Sequence, residues 1–243
     1  MRWMLLLAAT AATLSAQLPA PNDAGVSLGH IHLMVGDPEA QKKVWVEALG
    51  AVPTKTGTLD LLRLPGIYMI VGKARTAPEE GDDGSTVNHF GFLVKDLPAV
   101  KAKLDALKIE SSSVNGNAKQ IMAKFPEKVT VELTEDTAIS TPVTMHHIHL
   151  ATPDPEKQRD WYVKMFGGRP GTRGQFLAAF VPGGEVDTRK ADKAQAPTKG
   201  RSLDHIGFEV KNLEAFCKKL EADGMKLEVA YREMPQLGGL KLM

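Results

Sequence analysis

Four times along the chain a short apolar run of strand length is followed by a helix-start signature and then by further β-rich runs. The opening runs are GHIHLMV, NHFGFLV, HIHLA and DHIGFEV. Asp37-Pro38-Glu39 and Asp154-Pro155-Glu156 each supply an N-cap acid, proline at the first helical position and an acid in the first turn. Gly50 and Gly167 end those two helices. Asp96 and Asn212 are the matching caps of the other two, ahead of the apolar positions Val100, Leu104 and Leu107 or Phe216 and Leu220. The runs LDLLRL, IYMIVG, QFLAAFV and VTVEL then read as strands. The unit is β-α-β-β-β, and the fold class is α+β.

The units are related by sequence. HIHLMVGDPEAQKKVWVEALGAVP at 30–53 matches HIHLATPDPEKQRDWYVKMFGGRP at 147–170, 117 residues on. NHFGFLVKDL at 88–97 matches DHIGFEVKNL at 204–213, 116 residues on. A weaker half-repeat separates His30 from His89 by 59 residues and His147 from His205 by 58. This predicts tandem domains built from paired modules. The first domain spans 26–136, with modules at about 26–73 and 86–136; the second spans 143–243, with modules at about 143–186 and 202–243. The polar stretches 73–86 and 182–202 read as solvated links between modules, and 137–145 as the link between domains. Glu132 follows His89 by 43 residues, so its counterpart after His205 would fall near position 248, past Met243. The last strand of the second domain is therefore expected to be missing, leaving a sheet edge open to homodimer pairing.

The N-terminus refines this picture. Arg2, an apolar run from Met4 to Leu14 and small residues at Ser15 and Ala16 have the layout of a secretory signal peptide over residues 1–16, implying an exported, periplasmic or extracellular protein. The run is too short to span a bilayer, so no membrane association is expected after its removal. With 30 basic and 29 acidic residues there is no electrostatic case for nucleic acid. The single cysteine, Cys217, forms no intrachain disulfide and lies in an apolar helical stripe with Leu213, Phe216 and Leu220, the pattern of a buried residue. Trp45 and Trp161 occupy helix positions that suit a core.

The histidines carry the chemistry. All seven lie on opening strands: His30, His32, His89, His146, His147, His149 and His205. Alternation puts His30 and His32 on one face, with Ile31 and Leu33 on the other under the helix. It likewise sets His89 and Gly91 opposite Phe90 and Phe92, so the histidines face the concave side of curved sheets. Glu132, alternating with Val131 and Leu133, presents a carboxylate to the same side. Two imidazoles and one carboxylate form a three-ligand set with open positions for a small-molecule substrate, which predicts one divalent metal, Fe(II), Mn, Zn or Ni, at His30, His89 and Glu132. His32, His146 and His149 are left as substrate contacts, supporting groups or ordinary strand residues. His32, Tyr68 and Glu135 are the available acids and bases, with His32 and Tyr68 the catalytic candidates.

Paired β-α-β-β-β modules opening HIHL and HFGF, with a last strand ending VEL, resemble the vicinal-oxygen-chelate superfamily over roughly residues 26–243. That superfamily includes glyoxalase I, extradiol dioxygenases, methylmalonyl-CoA epimerase and bleomycin-resistance proteins. The resemblance implies tandem curved mixed sheets with helices on their outer face. It also extends the ligand role to His147 and His205 in an incomplete second-domain site. It implies either a metal-dependent oxygenase, lyase or isomerase acting on adjacent oxygens, or a non-catalytic small-molecule binder of the bleomycin-resistance type. Three departures matter. Of an Asp-Pro-x-Gly turn before the glutamate only Pro126 matches, with Phe125 and Lys128 at the acid and glycine positions. GIYMIVG offers no further metal ligand, which argues against the four-ligand site of glyoxalase I. The segment leading to His89 has no histidine, and Met122 stands where a catechol dioxygenase would be expected to carry tyrosine.

Overall fold

The computed structural model describes residues 18–235 and 240–242; the leader expected over 1–16 lies outside the described residues. Three modules have the expected order. The first runs β1 (Val26–Val35), α1 (Pro38–Leu49), β2 (Val52–Thr56), β3 (Leu59–Leu64) and β4 (Ile67–Lys73). The second runs β5 (Val87–Val94), α2 (Leu97–Ala106), β6 (Glu110–Val114), β7 (Asn117–Phe125) and β8 (Val129–Glu135). The third runs β9 (Val143–Thr152), α3 (Pro155–Phe166), β10 (Arg169–Arg173), β11 (Phe176–Val181) and β12 (Gly184–Lys190). The fourth begins alike with β13 (Leu203–Val210) and α4 (Leu213–Ala222), then ends in a separate hairpin of β14 (Arg232–Met234) and β15 (Leu240–Leu242).

Capping chemistry sets the helix starts. The side chains of Asp37, Asp96, Asp154 and Asn212 each accept a hydrogen bond from the backbone N–H three residues on. Gly50 and Gly167 end α1 and α3 with φ of 71° and 65°, a left-handed conformation that glycine adopts without steric cost. Between β7 and β8, Glu127 and Lys128 both take positive φ, so Lys128 holds at the turn the conformation that the superfamily's glycine would supply more easily.

Strand pairing and helix packing join the modules differently. Strand order β13-β1-β4-β3-β2 makes one sheet from modules one and four, and β10-β11-β12-β9-β5-β8-β7-β6 makes a second from modules two and three. The helix side pairs modules one with two and three with four. Trp45 of α1 is fully buried against Phe90, Phe92 and Phe125 of the second module, with its indole N–H donating to Gln41 Oε1. Phe166 of α3 packs on Phe208 and Phe216 of the fourth module. Each sequence-paired domain thus shares a helix-side core, while each sheet crosses from one domain to the other. Cys217 is buried, and Trp161 packs partly buried against the core.

The links are more structured than their composition suggests. GEVDTRK, within the stretch expected as a 182–202 linker, is strand β12, paired to β11 and β9. Its Val186 faces the core beside Ile148, and Glu185 and Asp187 face the concave side, so polarity here marks a site and not solvent. The 73–86 and 191–202 segments also pack together. Ser85 bridges to Ala196, and Arg201 donates to the carbonyls of Gly81 and Asp83. Asp82 is buried and accepts from the Thr130 backbone N–H and hydroxyl at 2.6 and 2.7 Å, pinning the start of β8. Burial pushes its carboxyl up to about 7 despite those bonds.

Candidate metal centre

Where β5 and β9 run antiparallel, His89 stands opposite His149 and Gly91 opposite His147. Two bulges shape this junction. One makes His146 the extra residue on β9; the other makes Asn88 the extra residue on β5. A bulge re-aims side chains, and here it sets each extra residue beside a site imidazole. Asn88 Oδ1 lies 2.9 Å from His89 Nδ1, and His146 Nδ1 lies 3.0 Å from His147 Nδ1. An amide oxygen can only accept, so His89 donates its Nδ1–H to Asn88 and leaves Nε2 as the atom that faces Glu132 and His147.

Three donor atoms converge there. His89 Nε2 is 3.3 Å from Glu132 Oε2 and 3.4 Å from His147 Nε2, and His147 Nε2 is 3.8 Å from Glu132 Oε2. Atoms bonded to one ion at about 2.0–2.2 Å stand roughly 2.8–3.6 Å apart in tetrahedral or octahedral geometry, so this triangle closes on a cation with shifts of a few tenths of an ångström. The other carboxylate oxygen is held away from the ion position: Glu132 Oε1 accepts from Gln120 Nε2 at 2.7 Å and from the Thr134 hydroxyl at 3.2 Å. His149 adds a third imidazole within 4.8 Å of His89 and His147; it packs edge-on against Phe176 and has no hydrogen-bond partner on either nitrogen.

The electrostatics match a ligand set. His89, Glu132, His147 and His149 are all buried. Burial pushes the Glu132 carboxyl up, but contacts with His89, His147 and Gln120 more than offset it and leave it well below the usual carboxylate range. Burial also holds His147 far below the normal imidazole value and His149 at about 3. The result is an ionised carboxylate beside the His147 and His149 imidazoles held neutral, protonation states that suit metal binding.

The expected residues are therefore regrouped. His89 and Glu132 come together as anticipated, but their partner is His147, and His30 lies in the other sheet beside His205. His32 and Tyr68 go with His30, because His32 pairs with His205 across β1 and β13 and Tyr68 stands next to His30 in register on β4. Glu135 caps α2, accepting from the Leu97 N–H. The expectation of a site within each domain fails because the sheets cross between domains.

Two residues, Asp187 and Arg173, escaped the sequence reading. Strands β9 and β12 place Asp187 level with His149, the same offset that sets Glu132 level with Gly91 on β5 and β8. Asp187 is thus the third module's counterpart of Glu132, and the absence of a ligand in GIYMIVG bears on the other sheet. The signal was present: Asp187 follows His147 by 40 residues, close to the 43 from His89 to Glu132, but it lay in a stretch read as linker. Arg173 of β10 connects the two carboxylates, pairing with Asp187 and lying 3.8 Å from Glu132. Burial pushes the Asp187 carboxyl up to about 6 against the pull of Arg173, and its Oδ1 has no partner.

Gly91 makes the cluster sterically feasible. A Cβ at this position would sit 2.4 Å from His147 Cε1. Gly91→Ala is expected to leave a folded protein but displace the His147 ring, lowering metal affinity by about tenfold or more; calorimetric metal titration beside circular dichroism measures both.

Comparisons with known proteins agree with this fold. Residues 144–239 match the Glyoxalase/Bleomycin resistance protein/Dioxygenase superfamily model. Maize (Zea mays) glyoxalase I, as its V278E variant, is 15% identical with a TM-score of 0.67 over 89% of this chain and 90% of that one. The unmodified maize enzyme is 14% identical with a TM-score of 0.63 over 86% and 83%. A candidate dioxygenase from Bacillus subtilis is 15% identical with a TM-score of 0.59 over 90% and 78%. No curated protein sequence gives a match. The chain shares the fold of these structures, and its 144–239 segment matches the Glyoxalase/Bleomycin resistance protein/Dioxygenase superfamily model.

Proposed function

We propose that this protein is a metal-dependent enzyme of the glyoxalase or dioxygenase type, with His89, Glu132 and His147 holding one divalent ion in the eight-stranded sheet. The observation that carries the reading is the buried triangle of donor atoms at 3.3, 3.4 and 3.8 Å. When bound, the ion would act as a Lewis acid toward a small substrate that offers two adjacent oxygens. Asp187 is the group suited to moving a proton, because its carboxyl sits near neutrality and one of its oxygens is free. Arg173 keeps Asp187 and Glu132 from repelling one another and fixes their orientation. His149, with two unpartnered nitrogens, faces the same space. The leader-like residues 1–16 support export, with the mature chain in a periplasmic or extracellular compartment.

Two imidazoles and a carboxylate admit Fe(II), Mn, Zn or Ni. Protein purified anaerobically without a histidine tag is expected to contain one of these by elemental analysis after dialysis, or to take one up on reconstitution. Failure to bind any of them would overturn the reading and favour non-catalytic binding of a small molecule.

A further inference from the structure

Beside the metal ligands, the part of the concave face built by the third module carries buried polar atoms that lack partners. Arg173 Nη2, Glu185 Oε2, Asp187 Oδ1 and both nitrogens of His149 make no hydrogen bond. Buried polar atoms are nearly always paired, because an unmade hydrogen bond forfeits the contact with water given up on folding. Here the exceptions share one surface. Asp187 stands level with His149 across β12 and β9, and Arg173 pairs with Asp187 while its Nε lies 3.8 Å from Glu185 Oε2. Asp187 and His149 are buried, so their free atoms face the interior of the site and not bulk solvent.

Arg173 is already surrounded by opposite charge, and what the cluster lacks is hydrogen bonds. It pairs with Asp187 and lies 3.8 Å from both Glu185 and Glu132. An anionic group reaching Arg173 would therefore meet like charge from three carboxylates, and a cationic group reaching Asp187 would meet the guanidinium. A hydroxyl avoids both costs. It donates one hydrogen bond and accepts two, so a row of hydroxyls can satisfy carboxylate oxygens and guanidinium N–H groups in alternation. The neighbouring side chains suit a carbon skeleton. Phe176 packs edge-on to His149 with ring centroids 4.5 Å apart, Phe180 stands level with Glu185, and Ala178 keeps the position level with Asp187 small.

We propose that this wall binds the hydroxyl groups of a polyhydroxylated substrate, a sugar derivative or other polyol, whose two adjacent oxygens reach the metal held by His89, Glu132 and His147. Asp187 and Glu185 accept from the hydroxyls, Arg173 donates to them, and His149 does one on each nitrogen. The hydroxylated tail runs toward β12 and not toward β7, because Gln120 and Thr134 on that side are already bonded to Glu132. The chelating end of the substrate rests on the metal-enzyme reading above, whereas the wall rests on its own atoms.

Matched hydroxamates test it, because the hydroxamate head offers a metal two adjacent oxygens and only the tail varies. On Zn(II)-loaded protein, gluconohydroxamate is expected to bind at least about tenfold tighter by calorimetry than hexanohydroxamate, which has the same carbon chain without the hydroxyls. Glu185→Gln and Asp187→Asn each replace an accepting oxygen by a donor. They are expected to remove most of that preference while leaving Zn(II) uptake and hexanohydroxamate affinity within about twofold. Equal affinities in the wild type, or tighter binding of the cationic glycine hydroxamate or the anionic succinohydroxamate, would overturn the hydroxyl assignment and leave the metal site standing. A preference that both variants retain would overturn the wall. If the protein takes up no metal, the enzyme reading falls, and the wall is judged on metal-free protein by saturation-transfer NMR with glucitol. Signals that Glu185→Gln abolishes would sustain the wall, and their absence from the wild type would overturn it. Glu185→Gln alone decides if Asp187→Asn fails to fold by circular dichroism.

Discussion

His147→Ala is expected to weaken metal binding in the eight-stranded sheet by more than about 100-fold, and Glu132→Ala to do the same, while His30→Ala leaves that ion in place. Removing a supporting contact around a metal ligand typically costs 10–100-fold, so removing a ligand itself should cost more. The contrast with His30 is the informative part. His30 matches His147 in sequence, both opening HIHL, yet only His147 lies within 4 Å of His89 and Glu132. Competition titrations on the three variants with Zn(II) or Co(II) measure it. Loss of the Glu132-dependent ion in His30→Ala, with retention in His147→Ala, would refute the strand pairing that defines the site. Glu132→Ala should also relieve the histidines of their carboxylate neighbour without unfolding the chain, since Gln120 and Thr134 remain able to meet water.

Trp45→Ala is expected to be the most damaging core substitution, costing about 3–5 kcal/mol. Its indole is fully buried, touches three phenylalanine rings of the neighbouring module and donates to Gln41, whose amide in turn donates to the Pro126 carbonyl. The cavity left behind would lie between α1 and the strands β5 and β7, and the Gln41 oxygen would lose its donor. For a chain of this size the loss corresponds to a fall in Tm on the order of 10 °C, read by scanning calorimetry. Because Phe90 and Phe92 flank Gly91 on β5, the variant should also weaken metal binding at temperatures below Tm. A change of less than about 1 kcal/mol would mean that the helix-side core does not join the first two modules.

Much of this protein was legible from its residues. The fourfold repeat, the helix caps at Asp37, Asp96, Asp154 and Asn212, and the glycine stops at Gly50 and Gly167 are local features, written into two or three neighbouring side chains each. The period-2 alternation likewise determined that His30, His32, His89, His147 and His149 share the face opposite Ile31, Phe90 and Ile148, because backbone pleating alone decides it. The pairing of β5 with β9 and of β1 with β13 was decided only in three dimensions. Four similar opening strands offer similar backbone edges, so no local signal distinguishes the right neighbour; helix packing, where Trp45 joins modules one and two and Phe166 modules three and four, narrows the choice only once the chain has folded. Strand β12 was hidden for a related reason. In GEVDTRK the side chains that face the site are charged, and a strand whose inward face is a polar cavity loses the apolar alternation by which strands are recognised. Asp187 therefore became visible only when register placed it beside His149, where burial and Arg173 give its carboxylate a role that sequence spacing alone could not assign.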